Sequence, residues 1–230
     1  MDKVKNKIWV FGDSFSTQFQ NKTIGGWVKR YIEWKGYIPK TFGDMLSEEL
    51  GLEVIHKGRG GSDNDSIFEA VYCAAPNIQK GDIVIIGWSH VLRFRLVDKA
   101  GNFSPIIPNF TSLAKNAFDF ISPNTIDEII VNRNLPMYYT ELHNRVLFLN
   151  WLFEDMKLIQ WTPFYGKETK LYGSQFINII SRETNNEVID GHYSEIGHRE
   201  LTDTFIKFIN NDNLRNKINS LTYKYKPNLI

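Results

Sequence analysis

The sequence contains almost no cysteine and no long apolar run. Cys73 is the only cysteine among 230 residues, which excludes an internal disulfide framework and any zinc site built on cysteines. The pattern of residues 67–74 is typical of a buried helix face, and we therefore expect Cys73 to be a packed thiol. The longest apolar stretches, Ile83–Ile86 and Val146–Leu149, are far too short to cross a bilayer.

The chain also lacks an excess of charge of either sign. It holds 27 Lys and Arg against 26 Asp and Glu, a formal net charge of +1, so it has no overall basic footprint for nucleic acid. The first seven residues are polar and charged, and the apolar segment after them has the length of a strand rather than of a signal peptide. We therefore expect no export signal and a cytoplasmic location. What the chain does have is 42% hydrophobic and 14% aromatic residues, enough for one large folded domain.

Short apolar segments alternate with amphipathic ones along the chain. Four segments have the length and composition of buried strands: Ile8–Phe11, Glu53–His56, Ile83–Gly87 and Leu158–Pro163. Five segments have the spacing or the capping residues of helices: Thr41–Leu50, Ser62 or Asp63 to Ala75, Tyr139–Met156, Tyr172–Ser181, and Ser194–Ile209 with Ile196 among its inward residues. This alternation predicts an α/β fold with a mainly parallel sheet covered on both faces.

Irregular stretches set the domain boundaries. Residues 1–212 are predicted to form one domain. Within it, residues 91–138 contain four prolines and no clean period, which predicts an insertion with short elements and a functional role. Residues 213–230 are polar and are predicted to be a C-terminal tail.

Polar residues follow the predicted strands, where chemistry is expected in such a sheet. Ser14 comes directly after Gly12 and Asp13 at the end of the first strand, where the chain must turn and leave the hydroxyl at the sheet edge. Taken alone, Ser14 is more simply a helix cap. A serine becomes nucleophilic only with a base that an acid orients, and Asp190 and His192 offer that pair on one side of an extended segment. The alternative for that segment is a surface loop before the last helix.

An acyl-transfer site also needs hydrogen-bond donors for a developing oxyanion. The pair Gly60–Gly61 leaves backbone N–H groups open to close approach, and Ser89 at the end of the strongest strand offers a hydroxyl. The same loop is a poor phosphate loop, because no Lys-Ser or Lys-Thr follows it. A metal site of Asp190, His192 and His198 is a weaker alternative, since His198 is expected inside a helix.

In this order, the motifs resemble the blocks of the SGNH (GDSL-type) hydrolase superfamily over roughly residues 8–210. The resembling segments are Trp9–Ser16 for the first block, His56–Asp63 for the second, Ile85–His90 for the third and Asp190–His198 for the fifth. The resemblance implies that Ser14 is the nucleophile, that the Gly61 N–H lies in the oxyanion hole, and that Asp190 and His192 are the acid and the base. It also implies a three-layer α/β/α sandwich, the flavodoxin-like SGNH hydrolase fold, and ester hydrolysis without a metal or cofactor.

Two positions depart from the family pattern. The third block usually carries Asn where this chain has Ser89, and the resemblance to divergent members implies that Asn64 supplies the missing amide. The family's acid usually lies three residues before the histidine, at the position of Ile189, whereas Asp190 lies two residues before His192. An orienting backbone carbonyl in place of the acid stays an alternative.

Three residues beside these blocks are candidates for substrate binding: Trp88, Arg93 and Tyr193. Trp88 fits a core residue equally well. A solvated or salt-bridged Arg93 is the alternative to a contact with an anionic substrate group. The aromatic residues near the blocks predict a glycan-facing rim: Trp27, Tyr31, Trp34, Trp88 and Tyr193.

Two classes of function follow from these features. The first is a serine esterase that hydrolyses a small acyl ester, with an acetyl group on a carbohydrate as the leading substrate. The second is a glycan-binding or structural subunit with an SGNH-like fold and little turnover, for example in a bacteriophage particle, which would make it virion-associated. The expected partner is a small acyl ester or an acetylated glycan, with no nucleic acid and no membrane span. Assembly into an oligomer or a particle is left open.

Overall fold

The computed structural model describes residues 6–19, 26–97, 103–106, 128, 135–163, 176–178 and 193–211. The strands within these residues are β1 (Lys7–Phe11), β2 (Glu53–His56), β3 (Ile83–Gly87), β4 (Phe94–Val97), β5 (Phe103–Ile106), β6 (Lys157–Thr162) and β7 (Phe176–Asn178). The helices are α1 (Gly26–Lys35), α2 (Phe42–Leu50), α3 (Asn64–Ala74), α4 (Leu135–Leu152) and α5 (Glu195–Asn210).

Five strands form one sheet in the order β2-β1-β3-β6-β7, and every neighbouring pair is parallel. The chain steps from β1 to β2 on one side and crosses back to β3 on the other, so the direction of winding reverses between β1 and β3. In doubly wound sheets, ligands bind beyond the carboxyl ends of the strands at this switch point. β4 and β5 pair separately as an antiparallel hairpin.

Helices cover both faces of the sheet, and the predicted α/β/α fold class is thereby confirmed. Side chains alternate along β1. Trp9 and Phe11 pack with α3 and α4 on one face, whereas Ile8 and Val10 pack with α2 and α5 on the other. All five positions of β3 are buried, which explains why this strand has a continuous apolar sequence rather than an alternating one.

Local capping signals fix several helix ends. Thr41 and Asp44 form a reciprocal capping box at the start of α2, and Gly51 follows its end in a left-handed conformation with a φ of 64°. Asp63 caps α3 and Ser194 caps α5 through side-chain hydrogen bonds. α3 therefore begins directly after the loop that follows the carboxyl end of β2.

One predicted helix is wrong. Within the segment Tyr172–Ser181, predicted to be helical, residues Phe176–Asn178 form β7 and pair in parallel with β6. So short a segment has no clear period, and pairing with the edge of β6 decides for a strand. The long helix α4 spans Leu135–Leu152 rather than Tyr139–Met156, because Pro136 is tolerated in a first helical turn.

Two residues predicted to be buried lie at the surface. Cys73 is exposed, because the buried stripe of α3 runs through Ile67 and Val71, and the helical rotation per residue turns Cys73 away from it. Ile196 is 52% exposed. It lies five residues before Leu201, a spacing that places the two side chains on different faces of α5.

Only parts of the predicted insertion at 91–138 are among the described residues. They include residues 91–93, the β4–β5 hairpin and the start of α4. The predicted tail at 213–230 lies outside the described residues. Among the helices that the structure describes, none combines the length and apolarity needed to cross a membrane.

Candidate active site

The turn after β1 carries Ser14 to the switch point of the sheet. Gly12 has a φ of 146°, and a Cβ at this position would lie 2.7 Å from the carbonyl oxygen of Gly87 at the end of β3. Glycine is therefore required for the two strand ends to approach this closely. Ser16 N donates to the Asp13 carbonyl at 3.0 Å and closes the turn around Ser14. Ser14 is only half-buried, so this turn, residues 13–16, presents it at the sheet edge. We call it the nucleophile turn after the role that the sequence predicts for Ser14.

Asp13 is a buried carboxylate within this turn, 1% exposed. Its Oδ1 accepts from Phe15 N at 3.1 Å. Its Oδ2 accepts from the Ser89 hydroxyl at 2.9 Å and from Arg93 Nη1 at 2.7 Å. The Arg93 side chain is itself 11% exposed, so the ion pair is largely shielded from solvent. A buried charge is tolerated only when it is paired and hydrogen-bonded, so Asp13 depends on Arg93 for its place in the interior. The ion pair thereby links the nucleophile turn to the segment after β3.

Sequence reasoning gives Asp13 no role, although it singles out Ser14 beside it. The available signal is a carboxylate directly after a fully apolar strand, which requires a cationic partner if it is buried. The partner, Arg93, lies 80 residues further along the chain. Of the alternatives for Arg93, the salt-bridged role is the one found in the structure.

Asn64 and Ser89, the two predicted side-chain donors to an oxyanion, are linked to each other. Ser89 N donates to Asn64 Oδ1 at 2.8 Å, and Asn64 Nδ2 donates to the Ser89 carbonyl at 3.1 Å. The Ser89 hydroxyl donates to Asp13, and all three residues are buried. The first turn of α3, the end of β3 and the nucleophile turn thus share one polar network.

Replacing Asn64 with alanine should lower the free energy of unfolding by roughly 2–4 kcal/mol. The change leaves the N–H and C=O of Ser89 buried without their partners, and urea unfolding followed by tryptophan fluorescence measures the loss. Ser66→Ala, in the same helical turn but partly exposed, is the matched control and should change stability by less than about 0.5 kcal/mol. Equal effects of the two substitutions would contradict a special role for the Asn64–Ser89 link.

The loop after β2, residues 57–63, is packed against the nucleophile turn. Arg59 N donates to the Gly12 carbonyl at 2.9 Å. A Cβ at Gly58 would collide with the backbone of Ser16, and Gly61 has a φ of 79°, where residues with side chains are strained. Glycine at these two positions allows the close approach of the loop. The oxyanion role of the Gly61 N–H stays a prediction.

His192 and Asp190, the candidate base and acid, lie outside the described residues. Tyr193, which directly follows His192, is buried. Its ring packs edge-on against that of Phe15, which directly follows Ser14, with the ring centroids 5.1 Å apart. The residues that follow the candidate base and the candidate nucleophile are therefore in contact.

Comparison with known proteins finds a likeness in structure and none in sequence. No family model matches the chain, and no curated protein matches it. Among solved structures, the chain is similar to a carbohydrate esterase described as having an active site with "divergent catalytic and non-catalytic binding functions". The two are 13% identical, the match covers 91% of this chain and 69% of that chain, and the TM-score is 0.47. A likeness at this level assigns neither a family nor an activity, so a proposed function must rest on the site itself.

The aromatic residues of the predicted rim are mostly buried. Trp88 is fully buried, and its indole N–H donates to Gln160 Oε1 at 2.8 Å, so the structure supports the core alternative for Trp88. The other rim residues differ: Tyr31 and Tyr193 are buried, Trp34 is 45% exposed, and the side chain of Trp27 lies outside the described residues. Tyr193 contacts the nucleophile turn through Phe15, so its position beside the candidate site is structural in this arrangement.

His198, considered as a metal ligand in the sequence, is a core residue of α5. It is 1% exposed, and its ring lies 6.0 Å, between centroids, from those of both Phe42 and Tyr193. The other two residues of that alternative, Asp190 and His192, lie outside the described residues. In the part of the chain that the structure describes, no three His, Cys, Asp or Glu side chains are arranged to hold a metal ion.

His56, at the end of β2, lies in an environment that favours its neutral form. Burial lowers the pKa of His56 below its usual value, and the Asp44 carboxylate, 3.8 Å from Nε2, opposes this only in part. A neutral imidazole can pack closely against the backbone, and a Cβ at Gly43 would run into this ring. His56 therefore has a packing role at the start of the loop after β2.

Proposed function

We propose that the protein is a serine esterase of the SGNH/GDSL type that hydrolyses a small acyl ester, with an acetyl group on a carbohydrate as the leading substrate. The contact between Phe15 and Tyr193 carries this proposal. Consecutive Cα atoms are about 3.8 Å apart, so chain connectivity keeps His192 within one residue of a ring that touches the nucleophile turn. The motif order predicts Ser14 and His192 as partners, and this contact supports their pairing.

The proposed reaction proceeds through a covalent acyl-enzyme. Ser14 Oγ attacks the ester carbonyl carbon while His192 accepts the hydroxyl proton and Asp190 orients the imidazole. The tetrahedral intermediate collapses, the bond to the alcohol oxygen breaks, and the imidazolium returns its proton to the departing alcohol. Water then attacks the acyl-enzyme by the same route, which releases the carboxylic acid and restores Ser14.

The N–H groups of Gly61 and Ser14 are the proposed backbone donors to the oxyanion, and Asn64 or Ser89 is the proposed side-chain donor. The Ser89 hydroxyl already donates to Asp13, so it would have to exchange that partner for the oxyanion. Asn64 Nδ2 uses one hydrogen for the Ser89 carbonyl and carries a second. This arrangement favours Asn64 as the side-chain donor.

Ser14→Ala should reduce hydrolysis of p-nitrophenyl acetate by about a thousandfold or more and abolish labelling by a fluorophosphonate, because both need the nucleophilic hydroxyl. Ser47→Ala is the matched control. It lies near the end of α2, just before β2 begins, and so at the amino ends of the parallel strands, whereas Ser14 lies at their carboxyl ends. Hydrolysis and labelling should both persist in this variant. Equal hydrolysis by wild type and Ser14→Ala, or labelling that survives the substitution, would contradict the proposal.

The second candidate function is glycan binding with little turnover. The engagement of the Ser89 hydroxyl by Asp13 favours it, because that hydroxyl is not directed at an oxyanion. This function predicts that wild type and Ser14→Ala bind acetylated glycans equally and that neither releases acetate. Acetate release by the wild type alone would decide for the esterase.

A further inference from the structure

A cavity of about 370 Å³ lies between the loop after β2 and one face of α3. We call it the β2–α3 cavity. Gly12, which precedes the nucleophile turn, lines one part of it, and Cys73 and Arg95 line another. Its volume falls within the range of small-ligand pockets. The cavity therefore has the size and the position of a binding site beside the candidate nucleophile.

One residue of the cavity lining, Asp63, has a carboxylate oxygen without a hydrogen-bond partner among the described residues. Asp63 is 1% exposed, and its Oδ1 accepts from Ser66 N at 2.7 Å. Its Oδ2 is buried and has no hydrogen-bond partner among the described residues. Buried polar atoms are nearly always paired, so Oδ2 is an acceptor for a donor from outside the described residues. Ser62 and Ser66 line the same cavity.

Two cations stand at the loop side of the cavity. Lys57 and Arg59 are exposed, and neither takes part in an ion pair among the described residues. Arg95, by contrast, is already paired with Glu69 at 2.7 Å. The two cations are therefore the groups available to a negatively charged ligand.

The buried Asp63 carboxylate and the two exposed cations together restrict the chemistry of the ligand. A hydroxyl group can donate to Asp63 Oδ2, whereas a fully ionised phosphate offers acceptors only. A carboxylate suits the two cations on the loop. A polyanion would be repelled by Asp63 and Glu69, and the net charge of +1 gives it no overall attraction. A sugar that carries one carboxylate satisfies each of these conditions.

We propose that the β2–α3 cavity binds a carboxylate-bearing sugar unit of the substrate glycan, next to the unit that presents its ester to Ser14. This proposal rests on the esterase function and specifies its substrate class. Gly12 and Ser14 are two residues apart, at most about 7 Å along the chain, so neighbouring sugar units can occupy the cavity and the nucleophile turn together.

The single cysteine provides a direct test in the intact protein. Cys73 is exposed and lines the cavity, so a bound ligand should slow its alkylation by iodoacetamide. Uronic-acid disaccharides should protect Cys73 in a saturable way, and the matching neutral hexose disaccharides should need at least about tenfold higher concentrations. Protection by neutral sugars at equal concentration, or no protection by any uronic-acid disaccharide of a panel, would overturn the proposal.

Charge-removing variants locate the site. The double substitution Lys57→Gln/Arg59→Gln should raise the half-protecting concentration about tenfold or more, while Lys80→Gln, an exposed lysine outside the cavity lining, should leave it unchanged. Equal effects of the two changes would reject the cavity as the site. Ser14→Ala should bind the uronic-acid disaccharide like wild type, because protection needs no turnover. A failure of hydrolysis would therefore contradict the esterase function, whereas a failure of Cys73 protection would contradict the binding site in the cavity.

Discussion

Replacing Arg93 with methionine should lower the free energy of unfolding by about 3–5 kcal/mol. The substitution removes the cation that lies 2.7 Å from Asp13 Oδ2 and leaves a carboxylate that is 1% exposed without its counter-charge. The Ser89 hydroxyl is a remaining donor to Oδ2, but a neutral hydroxyl does not replace a guanidinium. Urea unfolding at neutral pH, followed by tryptophan fluorescence, measures the loss.

Arg95, two residues further along the chain and within β4, offers a matched control. It pairs with Glu69 at the same distance of 2.7 Å, but the Glu69 side chain is 58% exposed, so Arg95→Met should cost no more than about 1 kcal/mol. The double variant Asp13→Asn/Arg93→Met should recover part of the loss, because it removes the buried charge together with its partner. Similar effects of Arg93→Met and Arg95→Met would show that burial does not strengthen the Asp13 pair.

The elements that the sequence predicts correctly are those with local signals. β1, β2 and β3 are short apolar runs that end at glycine or at polar residues, and the caps Thr41 and Asp63 act within three residues of their own position. β7 had no such signal, because a three-residue strand depends on the edge of β6 for its pairing.

The candidate site also combines residues that local signals predict with contacts that they do not. Ser14, Asn64 and Ser89 follow strands or begin a helix, and their positions in the motifs were enough to single them out. The hydrogen bonds between Asn64 and Ser89 and from the Ser89 hydroxyl to Asp13 were not predictable from these positions. The Asp13–Arg93 pair spans 80 residues, and only the folded sheet brings the two side chains together. Long-range polar pairing therefore accounts for most of what the sequence did not reveal.

Replacing His192 with glutamine should reduce the turnover of a small ester by about 10²–10⁴-fold with little change in stability. Glutamine cannot accept and return a proton in the reaction, although it keeps a similar size and polarity. Steady-state hydrolysis of p-nitrophenyl acetate measures the effect, and the thermal midpoint confirms that the variant is folded. Fluorophosphonate labelling of Ser14 should slow in parallel, because it depends on the same activation of the hydroxyl.

His198→Gln is the matched control, since it places the same change six residues later in the chain. His198 is 1% exposed and packs among Phe42 and Tyr193, so its replacement should cost about 1–3 kcal/mol of stability. The folded His198→Gln protein should keep its hydrolysis rate within about tenfold, because this ring packs in the core and His192 is the proposed base. The reverse pattern, in which His198→Gln loses turnover and His192→Gln keeps it, would transfer the role of the base to His198 and break the proposed pairing of Ser14 with His192.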